Sequence, residues 1–327
     1  MSCYNAVPWL HEAIDSILSQ TFQNFEIVLV DDGSTDETPD VIRRYAARDR
    51  RIVVISKTNS GLADSLNAGI AQAKGHWIAR LDADDQCLPT RLEMQIRFLH
   101  NNPALVLLGS GFVEIDGTGG FVGNRRYPGQ HRRLVRNLQR MMRFFPHSSA
   151  IFKREIALSA GSYNPLFRKA QDWDLWLRLS ERGAIACLPD PLVKIRKHHA
   201  QISASADGYQ QLVYGTAASV CHFLRTGGIQ VTPANDSTGE DVWPRFLAWI
   251  DRRLREEGIL ARRKVWGDLR SSSSGNQSSL IRLLGFGKNL WKSGQVAILL
   301  EEKLAGIALP KYLAREWASL SYHGSPE

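Results

Sequence analysis

The first part of the chain alternates between two hydrophobic periods. Phe25 to Val30 (FEIVLV), Arg51 to Ser56 (RIVVIS) and His76 to Leu81 are short apolar runs bounded by polar turns, as buried strands are. Leu105 to Gly109, Gly111 to Ile115, Ala150 to Phe152, Ala184 to Leu188 and Leu192 to Ile195 read the same way. Between them lie segments with helical spacing. Glu12 to Ser19 puts Ala13, Ile14, Ile17 and Leu18 on one side. Val41 to Ala47, Leu62 to Ala73, Leu92 to Leu99, Leu134 to Phe145 and Gln171 to Gly183 continue the pattern. Strand and helix alternate with short connections, which predicts an α/β fold with a mostly parallel central sheet flanked by helices.

After about Ser205 the character changes. Tyr209 to Arg225 and Val242 to Arg255 are helical, the latter with Trp243, Phe246, Leu247 and Ile250 on one side. Thr226 to Gly239 and Ser271 to Ser279 read as linkers, and Ile281 to Leu320 as further helix. The expected organisation is an α/β domain over residues 1–205 and a helical C-terminal extension over 206–327.

Of 327 residues, 43% are hydrophobic and 23% charged, as in an ordinary globular protein. The net charge of +8 favours an anionic partner. Cys3, Cys87, Cys187 and Cys221 form no CxxC pair, which argues against a zinc ribbon or a disulfide framework and for a reducing, cytoplasmic setting. No apolar run is long enough to span a bilayer, and the N-terminal residues do not read as a signal peptide. No GxGxxG follows a strand, which disfavours a dinucleotide-dependent oxidoreductase. Nucleic-acid binding would rest on charge alone, so no nucleic-acid partner is expected.

The chemistry concentrates at two strand ends. LVDDGSTD (Leu29 to Asp36) and IARLDADD (Ile78 to Asp85) both place carboxylates at the C-terminal end of an apolar run, the edge where open α/β sheets bind ligands. Acids alone would repel a diphosphate, so a divalent cation is expected between them, Mg²⁺ or Mn²⁺ by the preference of hard cations for oxygen. Asp82 and Asp84 flank Ala83, and residues two apart on an extended segment face the same way. Arg80 is placed either to pair with this cluster or to touch phosphate.

The ordered set CYNA, ILSQTFQNFEIVLVDDGSTD, NSGLADSLNAGI, GHWIARLDADD, HSSAIFKRE and AQDWDLWLRL, from Met1 to about Ser205, resembles the family 2 glycosyltransferases. These are inverting enzymes of GT-A fold that use nucleotide-diphospho sugars. The resemblance implies that Asp31 accepts a hydrogen bond from uracil or thymine, that Asp82 reaches the ribose or base, and that Asp84 touches the metal. It implies Asp172, in AQDWDLW, as the base that deprotonates the acceptor. Gln171 stands there in place of the usual glutamate. His198, Gln201 and Ser203 fit a His-x-x-Gln-x-Ser stretch, which puts His198 near metal or diphosphate. Arg196 and Lys197 would add charge against the leaving group. Asn59 and Gly61 are expected at the nucleotide, and His147 and Trp173 on the acceptor side. Asp32, Ser34 and Asp36 are expected to be structural, Asp174 to cap or pair with Arg178, and Trp176 to be core.

The implied activity is metal-dependent, inverting transfer of a sugar from a UDP- or dTDP-linked donor to a carbohydrate or lipid-linked acceptor, in cell-surface polysaccharide synthesis. Rival readings are a non-catalytic nucleotide-sugar binder and a nucleotidyltransferase, although no Gly-rich phosphate loop stands at the first strand–helix turn. Arg252, Arg253, Arg262, Arg263 and Lys264 of the tail suggest peripheral membrane contact at its inner face, with packing or dimerisation as the alternative. One departure stands out: the apolar strand that family members carry ahead of CYNA is absent, which implies a misplaced start or a shortened chain.

Overall fold

The computed structural model describes residues 1–127, 129–142, 144–198, 201, 208–229, 242–256 and 309–319. Contacts divide the chain into two units, Met1–Ala218 and Ser219–Glu327.

In the first unit, β1 (Ser2–Cys3), β2 (Ile27–Asp31) and β3 (Ile52–Ser56) form a parallel sheet in that order. They are joined by α1 (Val7–Leu18) and α2 (Thr38–Ala46). Ile27, Leu29 and Val30 are all buried, because a strand covered on both faces has no polar side. Helix α1 begins five residues before the apolar pattern suggests. Pro8 lies in its first turn, where a missing N–H leaves no bond unmade.

Helix α3 (Leu62–Gln72) leads to a second sheet of order β4-β8-β6-β9-β5, with β7 attached to β6. Its strands are β4 (Trp77–Ala79), β5 (Gln86–Cys87), β6 (Leu105–Asp116), β7 (Phe121–Arg125), β8 (Ile151–Lys153) and β9 (Ala184–Lys197). Helices α4 (Arg91–His100), α5 (His131–Gln139), α6 (Arg154–Ser159) and α7 (Gln171–Ser180) flank them.

The α/β class matches the sequence reading, but the pairing is mixed where a mostly parallel sheet was expected. Of the second sheet's pairs only β6–β9 is parallel; β4–β8, β6–β8, β5–β9 and β6–β7 are antiparallel. Local turn geometry overrides the strand–helix alternation. Asp116 Oδ1 accepts from the N–H groups of Thr118 and Gly120, closing a tight turn that can only return β7 antiparallel to β6.

Two strands are longer than the sequence suggests. β6 runs through Gly109–Gly111 and β9 through Pro189–Pro191, and the register between them shifts there. A Cβ at Gly111 would lie 2.8 Å from the carbonyl oxygens of Arg125 and Pro189, so only glycine lets the strands pass.

A cavity of about 670 Å³ is lined by Met1, Val28 and Val30 from the first sheet and Trp77, Ile78 and Phe152 from the second. β1 supplies two residues against the five of β2, and β4 pairs only with β8 among the described residues.

In the second unit, α9 (Val242–Glu256) buries Trp243, Phe246, Trp249, Ile250 and Leu254. Trp317, on a helix at residues 309–319, lies 4.9 Å from the Phe246 ring and 5.0 Å from the Trp249 ring. Helix α8 (Tyr209–Thr226) contains the division between the units. The Ser271–Ser279 linker, most of the helix read over Ile281–Leu320, and Arg262, Arg263, Lys264 and Ser203 lie outside the described residues.

Candidate active site

Asp31 ends β2, 5% exposed. Its Oδ1 accepts from the Ser34 N–H at 3.1 Å, and its Oδ2 has no hydrogen bond among the described residues. The next carboxylate is fully engaged. Asp32 accepts from Lys57 Nζ at 2.5 Å and from the N–H groups of Ser60 and Gly61, each at 3.0 Å. Burial opposes its ionisation, but Lys57 and these donors outweigh it and hold its pKa below the usual value. Asp32 therefore fixes the loop carrying Asn59 and Gly61. Gly61 has φ +93° and starts α3, while Asn59 is exposed.

The DADD turn follows β4. Arg80 is 3% exposed and pairs with Asp82, one of the two roles expected of it. Arg80 Nε also donates to His147 Nε2 at 3.2 Å, and that nitrogen lies 2.7 Å from the Tyr163 hydroxyl. His147 Nε2 is thus an acceptor. Burial and the Arg80 charge push its pKa down to about 3, so the ring stays neutral. Packed on Tyr163 and Trp176, His147 supports Arg80.

Ser148 sits between two acids. Its Oγ lies 2.8 Å from Asp82 Oδ2 and 2.5 Å from Asp85 Oδ2, and accepts from the Asp82 N–H at 3.0 Å. Asp85 also accepts from the Arg196 N–H at 2.9 Å. Burial, then the charges of Asp84 and Asp82, raise its pKa well above the usual value. Asp82 goes the other way: burial works against its charge, but the Arg80 guanidinium and the Ser148 hydroxyl lower its pKa on balance.

Asp84 Oδ2 lies 2.9 Å from His198 Nε2. Burial and the Asp82 charge raise the Asp84 pKa despite this partner. The His198 side chain is 8% exposed, its Nδ1 is buried without a hydrogen bond, and its ring lies 4.0 Å from that of Trp9. Arg196 differs from the expectation that it offsets a leaving diphosphate. It is buried, donates from Nε to the Asp84 carbonyl at 3.0 Å and pairs with Glu12 at 2.7 Å. Strand alternation turns Arg196 inward and leaves Lys197 exposed.

Asp172 lies in the first turn of α7, after Ala170 in the left-handed region at φ +52°. Its Oδ1 accepts from the Trp173 N–H at 2.9 Å. Burial raises its pKa to about 6, against that backbone bond, with the Asp82 charge adding to the rise. Trp173 is partly buried, its Nε1 donating to the Leu138 carbonyl at 2.7 Å. Trp176 is fully buried, and Asp174 pairs with Arg178 at 2.5 Å, as expected of both.

The structure gathers Arg80, Asp82, His147, Asp84, His198 and Asp172 into one electrostatically linked set. Asp31 joins it at one remove: the buried Cys3 thiol feels both the Asp31 and Arg80 charges. Sequence reasoning missed Ser148, Asp85, Tyr163, Glu12 and Trp9. The signal available for Trp9 was the Pro-Trp pair opening α1, and for Ser148 the polar run after His147.

For a metal, Asp84 and His198 present two donors side by side. No three His, Cys, Asp or Glu side chains converge to hold an ion among the described residues. Two protein donors fit a hard cation that takes most of its oxygens from diphosphate and water. A cation there would also relieve the Asp82–Asp84 repulsion.

The family model for glycosyl transferase family 2 matches residues 1–159. The amylovoran biosynthesis glycosyltransferase AmsE of Erwinia amylovora is 35% identical over 189 residues, 57% of this chain and 70% of that protein. The chain belongs to glycosyl transferase family 2. Its fold is GT-A-like. The S. aureus TarS 1-349 complex with UDP-GlcNAc superposes with a TM-score of 0.56 at 19% identity, covering 77% of this chain and 70% of that one. The mannosyltransferase PcManGT from Pyrobaculum calidifontis, in complex with GDP-Man and Mn2+, gives 0.52 at 18% identity, covering 95% and 85%. The chain is thus a glycosyltransferase, and no helix among the described residues is long and apolar enough to cross a membrane.

Proposed function

We propose that this glycosyltransferase transfers one sugar from a nucleotide-diphospho donor, UDP- or dTDP-linked, to a carbohydrate or lipid-linked acceptor. The transfer proceeds by single displacement with inversion, at the cytoplasmic side, in polysaccharide assembly like that named for AmsE. The observation that carries the reading is the pairing of Asp84 with His198 in the same electrostatic cluster as Asp172, a carboxyl lifted to about 6.

A base with that pKa is ionised at neutral pH yet basic enough to take a hydroxyl proton as it attacks. Asp31 holds the nucleobase through its open Oδ2. A carboxylate only accepts, which suits an imide N–H. The same preference would accept guanine, so Asp31 alone does not separate uracil from the guanine that PcManGT binds. Arg80 and His147 set Asp82 toward the ribose, and Asp84 and His198 hold Mg²⁺ or Mn²⁺. Such an ion supplies charge neutralisation for the departing diphosphate. The protein supplies position and a fixed electrostatic field, with no covalent intermediate on the chain.

The test measures nucleoside diphosphate release from UDP-, dTDP- and GDP-sugars with Mn²⁺, Mg²⁺ or EDTA. Release with one donor, abolished by EDTA and by Asp172→Asn, supports the proposal. Donor binding without turnover on any acceptor would favour the non-catalytic reading.

A further inference from the structure

The chain's charge is concentrated in one place. Gly117 to Lys153 contains seven Arg and one Lys and no Asp or Glu, while the remaining residues balance to zero. The whole net charge of +8 therefore lies in the segment from the β6–β7 turn to β8.

The structure turns most of it outward. Helix α5 buries Leu134 and Leu138 and exposes Arg132, Arg133 and Arg136. At about 100° per residue these arginines fall on the face opposite the two leucines. Arg125 and Arg126 on and after β7 are also exposed. Arg125 pairs with Glu114, but no carboxylate among the described residues pairs with Arg126, Arg132, Arg133 or Arg136. Arg140, at the end of α5, has a buried Nε with no partner and feels the Arg136 charge. In the same segment of chain the start of β7 exposes Phe121 (69%) and Val122 (53%), adjacent apolar residues at a hairpin.

Unneutralised arginines and a small apolar tip together fit one kind of surface. Anionic headgroups attract the guanidinium groups, and the tip enters the headgroup–acyl boundary. Nucleic acid would use the charge but gives Phe121 and Val122 no apolar layer to enter. The patch also adjoins the chemistry, since α5 packs on α7 through the Trp173–Leu138 hydrogen bond, and α7 carries Asp172.

We propose that α5 and the β6–β7 hairpin dock this enzyme on an anionic phospholipid surface, with Asp172 held near the bilayer where a lipid-linked acceptor lies. The lipid-linked acceptor rests on the function proposed above; the docking does not.

Sedimentation of the full chain with vesicles, without donor or acceptor, separates the two. Binding to vesicles containing phosphatidylglycerol should fall steeply with salt and be absent on pure phosphatidylcholine. At about 1 kcal/mol per arginine near the surface, Arg132→Gln/Arg133→Gln/Arg136→Gln should weaken partitioning about 100-fold. Phe121→Ser/Val122→Ser should weaken it about tenfold at unchanged charge. These residues are exposed, so melting temperatures and turnover on a soluble acceptor should be unchanged. Equal binding to neutral vesicles, or undiminished binding by either variant, overturns the proposal. So does RNA binding that outcompetes vesicles and ignores Phe121. Vesicle binding in a protein that transfers no sugar would uphold the docking while refuting the function.

Discussion

Asp84 Oδ2 and His198 Nε2 meet at 2.9 Å, joining the turn after β4 to the end of β9 across 114 residues of chain. The carboxylate is disfavoured by burial and by Asp82, and the imidazole lends it a donor. A cation would take over that donor's role. His198→Ala should therefore raise the Mn²⁺ concentration needed for half-maximal donor binding by about tenfold or more, with little loss of fold. Titration calorimetry of nucleoside diphosphate against Mn²⁺ measures this, and an unchanged requirement would remove His198 from the metal site.

Asp172 predicts opposite effects on rate and stability. Its pKa is raised to about 6 by burial, so kcat/KM should climb through an acid limb near that pH as the base ionises. The folded state holds the proton more tightly than the unfolded one, whose pKa is the ordinary carboxylate value. Stability from this group is therefore full below that ordinary value and is lost as pH rises toward 6. Asp172→Asn should be inactive yet melt higher than the parent at pH above 7, with the advantage shrinking toward pH 4 (~ the unfolded carboxylate range). Calorimetry across pH checks the crossover.

Asp85 holds Ser148 and the Arg196 N–H, and its charged form is disfavoured by burial and by Asp84. Asparagine keeps the shape and is neutral, so Asp85→Asn should fold with a melting temperature near the parent's. Asp85→Ala strands the Arg196 N–H in the interior and should cost about 1–3 kcal/mol in denaturant unfolding. Equal losses in the two variants would mean that the carboxyl is not the tie.

Two glycines should respond in opposite directions to alanine. Gly69 lies inside α3 and lines the cavity, and a Cβ there meets only Val30 Cγ2 at 3.5 Å. Gly69→Ala should stabilise by about 1 kcal/mol, mostly by helix propensity. At Gly109 a Cβ would lie 2.1 Å from the Phe145 ring, and Gly109→Ala should destabilise by about 1–3 kcal/mol. Chemical denaturation of both variants measures the contrast.

Much of the catalytic unit was legible in one dimension. FEIVLV is a strand because its apolar run is too short and too β-branched for a helix, and α7 follows from the spacing of Leu175, Trp176 and Leu179. The acids at the ends of β2 and β4 were visible because strand ends bring their polar residues to one edge. The mixed pairing of the second sheet was not visible, since direction depends on turns such as that at Asp116 and not on hydrophobic period.

The sequence by itself determined most of the longer strands and helices, which acids stand near strand ends, and that all the surplus charge lies between Gly117 and Lys153, but not the short elements such as β7 and α6. Those properties are local, set by residue type and period. Tertiary structure decided the partners: Arg80 on Asp82 and His147, Arg196 turned inward onto Glu12, Ser148 between Asp82 and Asp85. It also decided which carboxyls are hard to ionise. Burial and neighbouring charge set a pKa, and both come from residues distant in the chain that only folding brings within reach.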